Sequence, residues 1–395
     1  MPTVGTDVQA EVFGNPEPGD PDSRLPFAVE EWERRARAVL TPRAFAYVAN
    51  GAGGEDTMRA NREALTRLRI WPRVARDVSD RDVSISVLGT RSTAPFFLAP
   101  VGVQGIIHPE GERATARAAA AMGVPFILST VSSVSLEEIA GIMGSAPRWF
   151  QLYAGRSREV MTSMIRRAEA AGYGALVVTM DTAMLGWREA DLTNAYLPFL
   201  AGEGIANYVA DPVFCSRLEK PPAEDPQAAV LEWMRIFVNP AFGWADVDFI
   251  RGVTKLPLLI KGIVHPVDAD VAVAHGVDGI IVSNHGGRQA DGAVGAAEAL
   301  PLVVDAVRGR VPVLMDSGIR RGADVLKALA LGAAAVMIGR PYAFALAVAG
   351  EAGVRRVIRN LHADTDIEFG LAGQRSVRDV GRALLQIGDQ RTAIS

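Results

Sequence analysis

Residues 281–292 read IVSNHGGRQADG, and within three positions the chain turns from core to chemistry. The preceding residues 279–282 are Gly, Ile, Ile and Val, a continuous apolar run that reads as a buried strand. Ser283, Asn284, His285, two glycines and Arg288 follow at once. Such a strand delivers an imidazole and a guanidinium to its C-terminal end, and glycines there let backbone approach a ligand closely. Alone, the segment has a plainer reading as a turn with a satisfied His and a surface Arg.

The neighbouring sequence repeats the same grammar. PFFLAP (95–100), PFILST (125–130), RWFQLY (148–153), ALVVTMD (175–181), LPLLIKGI (256–263), PVLMDSGI (312–319) and AVMIGRP (335–341) are further apolar runs. Each precedes a helical pattern or a long loop. Runs apolar throughout imply strands buried on both faces of a parallel sheet. Eight such units predict an α/β fold, a closed (β/α)8 TIM barrel. A doubly wound open sheet is the alternative, but no early Gly-rich dinucleotide fingerprint accompanies it. Upstream, residues 27–65 read as an N-terminal helical segment in three pieces, with Pro42 suited to a first turn. Residues 69–72 read as extended, and DVSISVL (82–88) alternates like a half-buried strand. Residues 1–26, polar and rich in Pro, Gly and Asp, read as a flexible arm before a barrel domain spanning 27–395. A long insertion after strand four, 189–244, interrupts that domain.

Composition narrows the function classes. The 395 residues are 49% hydrophobic and 22% charged, values of a soluble globular protein. Lys plus Arg number 41 against 45 Asp plus Glu, a net charge of −4. That balance argues against non-specific nucleic-acid binding. Cys215 is the single cysteine, so no internal disulfide and no cysteine-based metal site is expected, and a cytoplasmic location fits. No apolar run reaches the roughly 20 residues of a membrane span.

Barrels carry their chemistry where strands end. The polar residues fall there: Pro100-Val101-Gly102, Ser129, Gln151 with Tyr153, Thr179 with Asp181, Lys261, Ser283 to Arg288, Asp316 to Arg320, and Gly339-Arg340. Singly, Ser129 or Thr179 could cap backbone, and Gln151 or Tyr153 could be satisfied core groups. Lys261 is different, because an ammonium directly after LPLLI is costly to bury without an anion. DSGIRRG and IGRP place Gly318, Arg320, Gly339 and Arg340 on the last two strands, where barrels commonly bind phosphate. A rim salt bridge through Asp316 is the plainer reading of the same arginines.

These blocks together resemble the FMN-dependent L-2-hydroxy acid oxidase and dehydrogenase family, over residues 28 to 390. SNHGGRQADG is similar to the family's diagnostic block, with Ala290 where Leu is usual. FQLY, DSGIRRG and IGRP match in the same order. Within the family the chain looks like the lactate 2-monooxygenase branch, through GWREADL (186–192), PFLAGEG (198–204), NYVADPVF (207–214) and the insertion to about Trp244. PVGV (100–103) carries Gly102 where the oxidases more often have Ala.

The resemblance implies FMN across the barrel mouth. Its phosphate would meet Gly318, Arg320, Gly339 and Arg340. Ser129, Gln151 and Thr179 would bond the ring edge, with the Pro100–Gly102 backbone facing N5. Lys261 would lie by N1 and the C2 carbonyl, where negative charge develops on reduction, and Ser283 and Asp316 would also be cofactor-binding. Arg188 and Arg288 would clamp the carboxylate of a 2-hydroxy acid, and Tyr47 and Tyr153 would contact its carboxylate or hydroxyl. By itself Arg188 could be a surface residue and Tyr47 a helix-face core residue. His285 would take the hydroxyl proton, and Asp181 would orient it.

The oxidative half decides the outcome. If the keto acid leaves before O2 reacts, the products are keto acid and hydrogen peroxide. If it stays, it is decarboxylated to the shorter acid, CO2 and water. The 189–244 insertion would be the lid that retains it, although packing or subunit contact could also explain it. The resemblance further implies a homotetramer or homo-octamer. A dehydrogenase with another acceptor, a Schiff-base aldolase using Lys261, and an inactive scaffold are the competing readings.

Overall fold

The computed structural model describes residues 4–14 and 25–386. Eight parallel strands close into a barrel: β1 (Phe96–Leu98), β2 (Phe126–Ser129), β3 (Arg148–Tyr153), β4 (Leu176–Thr179), β5 (Leu258–Ile263), β6 (Gly279–Val282), β7 (Val313–Met315) and β8 (Ala335–Ile338). They pair in chain order, and β8 returns to β1 through Val336–Phe96, Met337–Phe97 and Ile338–Leu98. Each strand is one of the eight apolar runs. The (β/α)8 expectation holds.

The period of two along each strand divides the core. Phe97, Ile127, Trp149, Val177, Leu259, Ile281, Leu314 and Met337 form one buried cluster and fill the barrel. Their neighbours Phe96, Leu98, Phe126, Phe150, Val178 and Ile280 belong to a second cluster shared with the surrounding helices. Continuous apolar runs are what two buried faces require. DVSISVL forms a hairpin arm, Ile85–Val87 pairing with Thr90–Ser92, and Val87 packs on the interior cluster. Thr90 Oγ1 accepts from Trp149 Nε1 at 2.8 Å, which satisfies the one polar atom of the largest interior side chain.

The three N-terminal helices fall at Val29–Val39, Pro42–Ala49 and Asp56–Arg67. Thr41 caps the second, with Pro42 at its first turn. The short extended piece Arg69–Ile70 pairs with Leu385–Gln386.

The flexible-arm expectation for 1–26 needs correction where it is described. Val4–Gly14 is a helix packed along the C-terminal helical stretch Arg340–Leu371, which kinks at Ala349 and Gly350. The Gly5 N–H donates to Asp366 Oδ2 at 2.9 Å. A Cβ at Gly5 would lie 2.5 Å from Ile367, so glycine is what permits the approach. Residues 1–3 and 15–24 of that arm, and 387–395 of the domain, lie outside the described residues.

The insertion is helical rather than irregular. It runs through Glu189–Thr193, Pro198–Ala201, Ala206–Val209, Pro212–Cys215 and Pro226–Phe237 before the helix Trp244–Val253. Asn207 seats it: Nδ2 donates to the carbonyls of Ser129 and Thr130, and Oδ1 accepts from Leu136 N.

Candidate active site

The C-terminal ends of the strands surround a cleft enclosing about 1170 Å³ out to its open mouth. Pro100, Val101, Gly102, Tyr47, Tyr153, Arg188, Lys261, His285 and Arg288 all line it. So do Asp316, Gly318, Arg320, Gly339 and Arg340 at one end. The remaining expected residues stand just behind. Asp181 backs His285 and Ser283 backs Lys261. Ser129, Gln151 and Thr179 form a buried chain, Ser129 Oγ to Gln151 Oε1 at 3.1 Å and Gln151 Nε2 to Thr179 Oγ1 at 2.9 Å.

His285 sits at φ +59°, a left-handed backbone that a non-glycine residue adopts only when surroundings impose it. The Ser283 hydroxyl accepts from the His285 N–H at 3.0 Å, and Ser317 Oγ accepts from Gly286 N at 3.0 Å. At Gly287 (φ +77°) a Cβ would lie 2.7 Å from the Met58 backbone, so only glycine fits. The loop's other anchor is a reciprocal amide pair. Asn61 and Asn284 each donate Nδ2 to the other's Oδ1, at 2.8 and 2.7 Å.

The imidazole Nδ1 lies 2.8 Å from Asp181 Oδ1, and Tyr153 Oη is 3.4 Å from Nε2. This pairing puts the proton on Nδ1 and leaves Nε2 facing the cleft as a base. Burial lowers the His285 pKa, with Asp181 opposing it. Burial of Asp181 is outweighed by His285 and Lys261, which bring its carboxyl down to about 2. Thr182 Oγ1 donates to Asp181 Oδ1 at 2.8 Å. Sequence reasoning passed over Thr182, as it did Asn61, since one hydroxyl after an acid carries no pattern.

Lys261 is buried, with Nζ donating to Ser283 Oγ at 2.9 Å and 3.3 Å from Asp316 Oδ2. Burial alone would lower its pKa, but Asp316 and Asp181 raise it, so the ammonium stays charged. A bulge between Lys261 and Ile263 aims it. Gly262 there has φ +105°, and a Cβ would lie 2.8 Å from the Asp181 backbone N.

The arginines are held by carbonyls rather than carboxylates. Arg288 Nη1 donates to the carbonyls of Tyr47 and Asn50, at 2.5 and 2.9 Å, with its guanidinium 5.0 Å over the Tyr47 ring. Arg188 Nε donates to Arg288 O at 3.1 Å, and Asp191 stands 3.9 Å away. Arg340 donates to the carbonyls of Val48, Gly286 and Asn50. Burial and neighbouring arginines push Arg340 down to about 9, and burial with Arg62 pushes Arg320 down to about 10. Among the described residues neither forms an ion pair, which excludes the rim salt bridge through Asp316. Half-buried positive charge with no ion-pair partner among the described residues, beside the N-terminus of Arg340–Leu371, fits a phosphate.

A parallel barrel with a histidine–carboxylate dyad, a buried ammonium and an anion-seeking end has the makings of a flavin oxidoreductase. The chain belongs to the FMN-dependent dehydrogenase family, whose model matches residues 36–387. It is 45% identical over 353 residues to an L-lactate oxidase of Lysinibacillus sphaericus (strain C3-41), covering 89% of this chain and 91% of that protein. It is 41% identical to a glycolate oxidase of Spinacia oleracea, over 90% of this chain and 94% of that one. A mandelate oxidase mutant solved with a C4a-OH-FMN adduct superposes with a TM-score of 0.78 at 42% identity, covering 88% of this chain and 96% of that one. The cofactor is FMN, and the protein is a flavin-dependent oxidoreductase.

Proposed function

We propose that this protein oxidises an L-2-hydroxy acid with O2, in the manner of a lactate 2-monooxygenase. The observation that carries the oxidation is the His285–Asp181 pair facing the same cleft as Arg188 and Arg288. The two guanidiniums bind the substrate carboxylate in forked geometry. Tyr47 and Tyr153 fix the hydroxyl end. His285 Nε2 takes the hydroxyl proton, and Asp181 holds Nδ1–H and stabilises the imidazolium. FMN, when bound, accepts the two electrons that leave the hydroxylated carbon. Arg320 and Arg340, with the Gly318 and Gly339 backbone, would hold its phosphate. Lys261, kept by Ser283 and Asp316, would stand at the pyrimidine edge. Ser129, Gln151 and Thr179 would exchange their mutual bonds for bonds to the ring.

Retention of the keto acid favours decarboxylation to the shorter acid, CO2 and water. What supports it is the wall over the cleft. Phe199, Trp233 and Phe237 are mutually packed at 4.5 to 6.2 Å, and Phe237 lies 5.4 Å from Tyr153. This half of 189–244 is seated, so the opening part of the lid would be the exposed strip around Leu192, together with Met184 and Trp187 just ahead of it. Tyr196 on that strip packs edge-on against Tyr47 at 6.3 Å. The apolar wall suits a lactate-like or larger apolar side chain. Release of keto acid with hydrogen peroxide is the second reading, favoured by the oxidase names of the relatives. Assaying peroxide against CO2 after admitting O2 to substrate-reduced enzyme separates them. Stoichiometric peroxide would overturn the monooxygenase reading and leave the oxidation intact.

A homotetramer or homo-octamer in the cytoplasm belongs to the same proposal. No described helix is long and apolar enough to cross a membrane.

A further inference from the structure

Behind the turn after β1 lies a cluster of polar side chains that the reaction described above does not use. Gln104, Glu112, Thr115 and Tyr342 are each fully buried, and none lines the cleft. Their bonds converge on Gln104. Its backbone N–H donates to Glu112 Oε1 at 3.1 Å, and the same oxygen accepts from Ser133 N at 3.1 Å. Glu112 thereby ties the loop after β1 to the loop after β2. Thr115 Oγ1 donates to Gln104 Oε1 at 2.6 Å, and the Val101 carbonyl, which can only accept, fixes the other end of the amide as the donor. The donor, Nε2, then reaches Val101 O at 3.0 Å and Tyr342 Oη at 3.4 Å. Tyr342 Oη in turn donates to Ala99 O at 2.7 Å.

The consequence follows from peptide planarity. In a trans peptide the carbonyl and the N–H point in opposite directions. Gln104 draws the Val101 carbonyl back toward the helix Gly111–Met122. The N–H of Gly102, across the same peptide, is therefore turned toward the cleft that Val101 and Gly102 line. Among the described residues it meets no acceptor. Val103 at φ +56°, with its N–H on Val131 O at 2.8 Å, holds the turn from the other side.

We propose that Gln104 is a positioning residue: its side-chain amide, oriented by Thr115 and braced by Glu112, aims the Gly102 N–H at the flavin N5. This rests on the reading that the Val101–Gly102 backbone faces N5. A donor there makes N5 a better acceptor of the hydrogen leaving the substrate carbon. Gln104, Thr115 and Tyr342 hold one another directly, while Glu112 braces the turn through Oε1 alone, its Oε2 having no hydrogen-bond partner among the described residues.

The test is sulfite, which adds to N5 of an electron-poor flavin and bleaches its absorbance without any substrate. Gln104→Met fills the same space without a donor. In the FMN-loaded variant sulfite affinity falls about tenfold, the value of one hydrogen bond to a charged group. Anaerobic reduction by substrate slows by a similar factor, while substrate KM and FMN affinity stay within about threefold. Thr115→Val, which frees the amide to turn over, shifts sulfite affinity the same way but less. If Gln104→Met does not fold, Thr115→Val decides. Sulfite affinity unchanged from the parent protein in a folded, FMN-loaded variant overturns the proposal. A parent protein that binds FMN but ignores sulfite overturns the N5-facing reading instead.

Discussion

Asp181 Oδ1 lies 2.8 Å from His285 Nδ1, while Asp181 Oδ2 is buried with no hydrogen-bond partner among the described residues. One oxygen of the carboxylate therefore does all the orienting, and the other contributes charge alone. This asymmetry makes the pair sensitive to loss of charge as well as loss of shape.

Asp181→Asn keeps the shape and removes the charge. The imidazolium formed on proton abstraction then has no counter-ion, and the amide can present N–H to Nδ1 and invert the tautomer. Anaerobic stopped-flow reduction of the flavin should slow by about a hundredfold or more. Substrate affinity should change little, because Asp181 does not line the cleft. A slowing of less than about threefold would remove Asp181 from the mechanism.

His285 must be neutral to act as a base. Burial lowers its pKa below the ordinary value near 6.5, so protonation occurs only at more acid pH. The profile of kcat/KM should be flat near neutrality and fall about tenfold per unit on an acid limb centred below about 6.5. The same direction governs stability. The unfolded chain binds this proton more readily, so the His285 contribution is present above pH 6.5 and is lost as pH falls through the lower folded pKa. An acid limb centred above pH 7 would contradict the burial argument.

Lys261 and Asp316 are 3.3 Å apart, and both are buried. Lys261→Met leaves the carboxylate without its cation, which costs about 3–5 kcal/mol in stability. Adding Asp316→Asn should restore most of that loss without restoring flavin reduction. Denaturant melts of the two single variants and the double variant measure the coupling. Additive losses would mean the two residues do not act as a pair.

Arg288 uses one nitrogen, Nη1, to hold the carbonyls of Tyr47 and Asn50. The rest of the fork is left for a carboxylate. Arg288→Lys supplies charge without the fork, so KM should rise about tenfold to a hundredfold, corresponding to about 1.4–2.8 kcal/mol. Steady-state kinetics checks this. An unchanged KM would assign the carboxylate elsewhere.

The barrel was legible because each strand is buried on both faces and so is apolar without interruption, as in Leu176–Thr179 or Ala335–Ile338. The site was legible where polar residues follow such runs directly, as His285 and Lys261 do. Three features were not. Val4–Gly14 shows no strong apolar stripe, and its helix is held by the close approach of Gly5 to the C-terminal helix. Apart from Pro226–Phe237, the insertion breaks into helices of 4 or 5 residues, too short for a periodic signal, and long-range bonds from Asn207 seat it. Gln104 opens a three-residue 3-10 turn with no pattern around it in sequence; only the fold brings Glu112, Thr115 and Tyr342 to it.

The most direct measurement is the absorbance of the purified protein, recorded anaerobically while L- and D-2-hydroxy acids are added in turn. The account predicts a yellow protein that bleaches with an L-2-hydroxy acid and not with its D enantiomer. A colourless protein that takes up no added FMN, or equal bleaching by both enantiomers, would contradict it.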